Sequence, residues 1–237
     1  MLMSNQLYSA LCATLLSTFT VAQNGPVIAT GAMRNTMFNG QLAGLIQLDS
    51  IAEPGVFGLG PVEYLRGELL LWDGHAYRAI AKGDSAMHVA EHPETKAPFF
   101  VHQTVQEWHA VALPDSVVDL GTLNDFLTAR FGGSPPFAFK LHGKCERVDL
   151  HIVDVSPGTV VRGPDDAHRE NKHFRLTDRS VDLLGFYSTR HQAVFTHHDT
   201  HIHVHAITAE RDAMGHVEEL AIDPRQLTLA VAVDPAP

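Results

Sequence analysis

The run Thr200-His-Ile-His-Val-His-Ala-Ile-Thr208 constrains this chain more than any other segment. Read as an extended strand, it points every second side chain the same way. Those side chains lie roughly 6.5 to 7 Å apart, so His-x-His offers two imidazoles to one ion. His201, His203 and His205 share that face, but the outer two are roughly 13 Å apart. Metal–nitrogen bonds are only about 2.0 to 2.1 Å long, so one ion cannot hold all three. The pair is 201/203 or 203/205, and spacing alone does not choose. A turn and a returning strand then bring a third imidazole, His216 of Met214-Gly-His-Val217. Three neutral nitrogens plus an open position is the arrangement a catalytic zinc uses. The competing account is that a chain with 16 histidines clusters some of them by chance. His197 and His198 are read as bystanders.

The 237 residues suffice for one large domain or two smaller units sharing a sheet, and 45% hydrophobic content supports a proper core. A formal charge of −10 with no basic stripe argues against a nucleic-acid partner. No stretch of roughly 18 apolar residues reads as a membrane span. Residues 1–22 read as a signal peptide, because the apolar stretch from Leu11 ends in the small residues of Thr20-Val-Ala22. No Lys or Arg precedes Arg34, so the usual positive start is missing, and a buried N-terminal helix is the competing account. Export would make the protein secreted or periplasmic; without a leader it would be cytoplasmic. Removal of the leader takes Cys12 and leaves Cys145 as a lone thiol, with no intramolecular disulfide.

Strand signals dominate the rest. Glu68-Leu-Leu-Leu-Trp-Asp73 and His75-Ala-Tyr-Arg-Ala-Ile80 flank Asp73-Gly74, the strongest short hairpin signal available. Residues 97–108 alternate as a further strand. Leu120 to Phe131 is the best helix, capped by Asp119 or Thr122 and stopped by Gly132-Gly133. Residues 137–141 and 147–155 are expected as two strands joined through His142-Gly-Lys144. Residues 162–180, the most polar part, read as a surface loop with a short helical piece. Strands resume over 183–188, 200–207, 217–222 and 227–233. The expected organisation is the leader 1–22, a β-rich half over 23–135, and a β-rich half over 136–237 that carries the metal site.

Phe57-Gly-Leu-Gly60, then Leu65-x-Gly-Glu68, then Asp73-Gly-x-x-Tyr-Arg78, resembles the N-terminal signature of the α-acetolactate decarboxylases. In the C-terminal half Gly185-Phe186, His203/His205 and His216 follow that family's order, with His216 eleven residues after His205. The resemblance covers roughly residues 30 to 222. It implies a β-rich α/β (α+β) protein of two mixed or antiparallel sheet halves with few helices, commonly a homodimer. It implies zinc held by His203, His205 and His216, although imidazoles also suit other divalent transition metals such as copper, nickel and iron. Glu68 is then the carboxylate brought in from the N-terminal half.

This chain departs from the family pattern at several positions. Pro61 stands where the family has Thr, losing a hydroxyl and a backbone donor. Arg66 replaces an Asp before Gly-Glu. The place of the family's active-site Arg, counted from Gly143, falls on His151, with Arg147 four residues earlier on the same strand face. After Glu219 the chain has no Glu, so the family's late Glu is vacant or replaced by Asp234 or Glu218.

The implied reaction is decarboxylation of 2-acetolactate to acetoin and CO2. Zinc would act as the electron sink, Glu68 as the proton relay, and Arg147 or His151 as the cation for the carboxylate. A histidine in that last role makes binding pH-sensitive. Two other functions compete. One is a diverged metal-dependent lyase or hydrolase acting on another small hydroxy-keto acid. The other is a non-catalytic secreted metal-binding protein.

Overall fold

The computed structural model describes residues 23–233. The expected leader with Cys12, and Asp234, lie outside the described residues. The first half contains β1 (Ile28–Thr30), α1 (Met33–Asn39), β2 (Ile46–Gln47), β3 (Val56–Pro61), β4 (Glu68–Trp72), β5 (His75–Ala81), β6 (Met87–Glu91), β7 (Lys96–Ala97) and β8 (Phe100–Thr104). There follow β9 (His109–Val111), α2 (Leu120–Phe131), β10 (Phe137–Ile152), α3 (Pro164–His168) and β11 (Lys172–Tyr187). The chain closes with β12 (Ile202–Thr208), β13 (Met214–Ala221) and β14 (Leu227–Val231).

Six strands form the first sheet, in the order β1-β8-β3-β4-β5-β6, and β2 pairs with β7 beside it. The second sheet runs β11-β12-β13-β10-β14-β9, and β11 also pairs with β10. That extra pairing closes β10, β11, β12 and β13 into a ring. Every ladder between named strands is antiparallel. The fold is β-rich with few helices.

Local chemistry accounts for the elements that were legible. Asp73 and Gly74 both take positive φ, 51° and 83°, as a two-residue hairpin requires, and β4 and β5 pair from Trp72↔His75 outward. Helix α2 starts at a capping box. Asp119 accepts from the Thr122 backbone N–H (2.8 Å), and the Thr122 hydroxyl accepts from Asp119 N–H (3.0 Å). Leu123, Leu127 and Phe131, one stripe of that helix, are buried against Val148, Leu150 and their neighbours.

Four expectations need correction. The two strands expected over 137–155 are one strand, β10. Gly143 (φ 149°) bends it without breaking it, and β10 changes partner there, pairing β14 through residues 139–143 and β13 through 147–151. The loop expected over 162–180 holds α3, but residues 172–180 belong to β11. Phe174 and Leu176 alternate with His173, Arg175 and Thr177, and charge on the outer face hides the period. Residues 97–108 hold separate short strands in place of one. Finally, β9 pairs with β14 and α2 packs into the core of the second sheet, so the C-terminal half begins well before residue 136.

Two of the buried apolar clusters follow from this arrangement. Val148, Leu150, Val204, Val217 and their neighbours fill the ring interior. A second cluster joins Phe57, Leu59, Leu70 and Val101 of the first sheet to Leu184, Ile207 and Met214 of the ring's outer face. Each such side chain contributes roughly 1.5 to 3 kcal/mol on burial. The seam between first sheet and ring is therefore buried, and Glu68, His203, His205 and His216 lie buried along it.

Gly143 gives a direct test of the β10 bend. A Cβ there would lie 2.1 Å from the Gln226 carbonyl oxygen, at a φ that L residues rarely adopt. We expect Gly143→Ala to lower stability by about 1 to 3 kcal/mol, read as a lower urea midpoint. A midpoint equal to wild type would contradict the bend.

Candidate metal centre and active site

In an antiparallel ladder, directly paired residues project from the same face. His205 pairs with His216, His216 with His151, and His151 with His173. Four strands of the ring thus set four imidazoles in a row across its outer face. His203 stands two residues before His205 on that face, while Ile202, Val204 and Ala206 turn into the core. Ring centroids are 5.0 Å apart for His203–His205, 4.8 Å for His203–His216 and 5.4 Å for His205–His216. His201 lies just outside β12 and turns toward α2, its Nδ1 3.2 Å from the Thr128 hydroxyl. Of the two pairs that spacing left open, the structure brings 203/205 to the seam.

His197, expected from the sequence to be a bystander, stands with these histidines. It lies in the loop after β11, its Nε2 3.1 Å from His216 Nε2, and ligand atoms of His197, His203 and His216 all fall within 4.8 Å of one another. The site is a group of four imidazoles in which His203 and His216 belong to both possible triplets. No period marks a loop residue, and adjacency to His198 and Asp199 was the only signal available.

Hydrogen bonds fix how two of the rings point. His203 donates Nδ1–H to the Phe195 carbonyl (2.8 Å), and His205 donates Nδ1–H to the Leu69 carbonyl (3.0 Å). Each bond leaves Nε2 as the lone-pair nitrogen, the form and orientation a metal ligand needs. His205 Nε2 is buried and has no hydrogen-bond partner among the described residues. An orphaned buried acceptor costs stability, and a bound cation would answer it. Burial, reinforced by neighbouring imidazoles, holds His203 and His216 well below the usual histidine pKa. Burial likewise brings His205 down to about 3 and His197 to about 4. All four are neutral near pH 7, and their chemistry fits zinc or another divalent transition metal.

Glu68 opens β4, immediately before the Leu69 carbonyl that orients His205. It is buried, its Oε1 accepts from Val153 N–H (3.1 Å), and its Oε2 lies 3.6 Å from His205 Nε2. Burial pushes its pKa up to about 8, so it carries a proton at neutral pH. His151 is also at the site, its ring 4.6 Å from His216 and its Nε2 3.9 Å from Glu68 Oε1. It donates Nδ1–H to Glu218 (3.0 Å), whose other oxygen accepts from His173 Nδ1–H (2.8 Å). The hydrogen bond from His151 is the main cause that draws the Glu218 pKa down to about 2. Glu218 reaches this place through a β-bulge. The register runs His151↔His216, Leu150↔Val217, Asp149↔Glu219 and leaves Glu218 unopposed.

The structure does not bring Arg147 to this group. It shares a strand face with His151 but lies four residues, about 13 Å, further along. Its guanidinium pairs with Glu219 (2.9 Å) and Asp149 (3.4 Å). Pro61 pairs with Glu68 in the β3–β4 ladder and lines the cavity, whereas Arg66 does not line it. That cavity, of about 270 Å³, is lined by the histidines and Glu68 together with the apolar side chains of Met33, Met37, Leu65, Phe99 and Val153.

Two antiparallel halves with a wall of neutral imidazoles and one buried carboxyl between them define a site able to hold a transition metal beside an acid. The family model for alpha-acetolactate decarboxylase matches residues 30–234, and the chain belongs to that family of carboxy-lyases. The Klebsiella aerogenes alpha-acetolactate decarboxylase is 24% identical over 221 residues, spanning 93% of this chain and 82% of that one. The Brevibacillus brevis alpha-acetolactate decarboxylase is 25% identical over 235 residues, spanning 94% and 80%. The crystal structure of alpha-acetolactate decarboxylase from Bacillus subtilis strain 168 superposes with a TM-score of 0.72 at 18% identity. That match covers 87% of this chain and 85% of the other, and shows a shared fold.

The shifted groups act in opposite directions on stability in chelator-treated protein. The buried histidines refuse protons that the unfolded chain takes up below its pKa of 6.5, so their contribution is lost as pH falls from 6.5 toward 4. Glu68 keeps a proton the unfolded chain releases above 4.5, so its contribution is lost as pH rises through 8. Urea midpoints should therefore peak near pH 6.5. In Glu68→Gln the decline on the alkaline side should flatten, and an unchanged alkaline arm would contradict the assignment.

Proposed function

We propose that the protein converts 2-acetolactate to acetoin and CO2 with the help of a divalent transition metal, zinc being the first choice. The observation that carries this reading is the orphaned Nε2 of His205, which faces the protonated carboxyl of Glu68 within a group of neutral imidazoles. His203, His205 and His216, with His197 beside them, would hold the ion. When bound, such an ion is a Lewis acid that draws off the electron pair left by departing CO2.

The chain's own groups do the rest. Glu68 Oε1 is engaged by Val153 N–H, so its proton resides on Oε2, on the side of His205. From there it can be delivered to the carbon that lost CO2. Glu218 holds His151 with its Nε2 toward Glu68. The apolar wall of Met33, Met37, Leu65, Phe99 and Val153 keeps water from competing for the same proton.

A second reading keeps the centre and changes the substrate to another small hydroxy-keto acid. His151 and Pro61, at the cavity where the family has Arg and Thr, favour it. A homodimer belongs to the family-based reading, and export to the secreted or periplasmic space follows from the leader read over residues 1–22.

Acetoin formation from racemic 2-acetolactate tests the first reading. We expect turnover that a chelator abolishes and zinc restores. Glu68→Gln should lower kcat about a hundredfold or more with little change in KM. Zinc-loaded wild type that forms no acetoin would overturn the first reading in favour of the second.

A further inference from the structure

A substrate that leaves as CO2 enters as a carboxylate, and an anion held in an apolar cavity requires a cation. Neither of the two candidates taken from sequence fills that need well. Arg147 is committed to Asp149 and Glu219, and it does not line the cavity. His151 does line it, but the Glu218 carboxylate lies 3.0 Å from its ring, so an anion bound at His151 would meet a second anion behind it.

One residue of the cavity wall carries a permanent positive charge. Among the described residues lining the cavity, Arg34 is the only Lys or Arg, and its guanidinium makes no ion pair or side-chain hydrogen bond with any described residue. Met33, Arg34, Met37 and Phe38 present one face of α1 to the cavity. The start of α1 is tied to the loop that carries His197. Met33 N–H donates to the Val194 carbonyl (2.8 Å) and Arg34 N–H to the Ala193 carbonyl (2.9 Å). Burial of Met37 with Leu65, Val153 and Val161 anchors the same helix from below. The Arg34 backbone is thus fixed to the loop that supplies one imidazole, while its side chain remains free at the mouth.

The geometry points to Arg34 as the group that binds the substrate carboxylate, in the part usually taken by the arginine that His151 replaces. This rests on the reading of the cavity as a site for a small hydroxy-keto acid. A planar guanidinium offers a carboxylate two parallel hydrogen bonds. Arg34 is exposed and shares the cavity lining with the histidines, so one end of the substrate meets Arg34 while its oxygens face the imidazole wall. The carboxylate end then lies nearest the opening, where CO2 departs.

The test uses two unreactive diols on zinc-loaded protein in isothermal titration. One is 2,3-dihydroxy-2-methylbutanoate, which is acetolactate with its ketone reduced; the other is butane-2,3-diol, which lacks the carboxylate. Arg34→Gln should weaken the acid about tenfold to a hundredfold and leave the neutral diol within about twofold. An equal loss for both diols would mean that Arg34 only supports the fold, and no loss for either would mean that it is idle. Both results overturn the inference. Because neither probe reacts, the outcome is independent of turnover. An inactive wild type with an Arg34-dependent preference for the acid would count against the decarboxylase reading alone.

Discussion

The cross-strand register of β12, β13 and β10 is the constraint on which the site depends. His205↔His216 and His216↔His151 are direct ladder partners, so a row of imidazoles exists only while those strands keep their present alignment. A slip of one residue would turn the histidines into the ring and expose Val204, Val217 and Leu150 at the seam. The apolar interior therefore sets the position of the polar exterior. Closure of the ring through the β10–β11 pairing removes the free edges along which such a slip would begin.

The first sheet completes what the ring presents. Its Leu69 carbonyl orients His205, and its Glu68 enters between His205 and His151. Covering the row also dries it, which is the common cause of the depressed histidine pKa values and the raised one of Glu68. An array of uncharged nitrogens beside a protonated carboxyl is poised for a cation. The bulge at Glu218 extends this order outward, because one unopposed residue places a carboxylate between His151 and His173.

The site was legible in the sequence where it follows strand periodicity. Alternation offered His203 and His216 with either His201 or His205, while the choice of His205 and the role of Glu68 came only with the family resemblance. What escaped depends on contacts distant in sequence. His197 sits in an irregular loop, and Arg34 reaches the cavity only because α1 docks on residues 193 and 194. Glu218 was named from the sequence as a stand-in for the late Glu, but its contact with His151 and His173 through a bulge was not. Periodicity placed Arg147 and His151 on one face but gave no weight to the 13 Å between them. In the fold, the hairpin and α2 carry their own turn and cap chemistry and stand as expected. The long strands β10 and β11 were misjudged because a glycine bend looks like a break, and a charged outer face looks like a loop.

Of the departures from the family pattern, His151 and Pro61 line the cavity, whereas Arg66 does not. His203, His205 and His216 keep the family's order and spacing. The proposed chemistry thus depends on the metal centre. X-ray absorption at the zinc edge of zinc-loaded protein addresses it most directly. It should show one ion per chain with three or four imidazole nitrogens at about 2.0 to 2.1 Å. A shell with one imidazole or none, or sub-stoichiometric zinc, would contradict it.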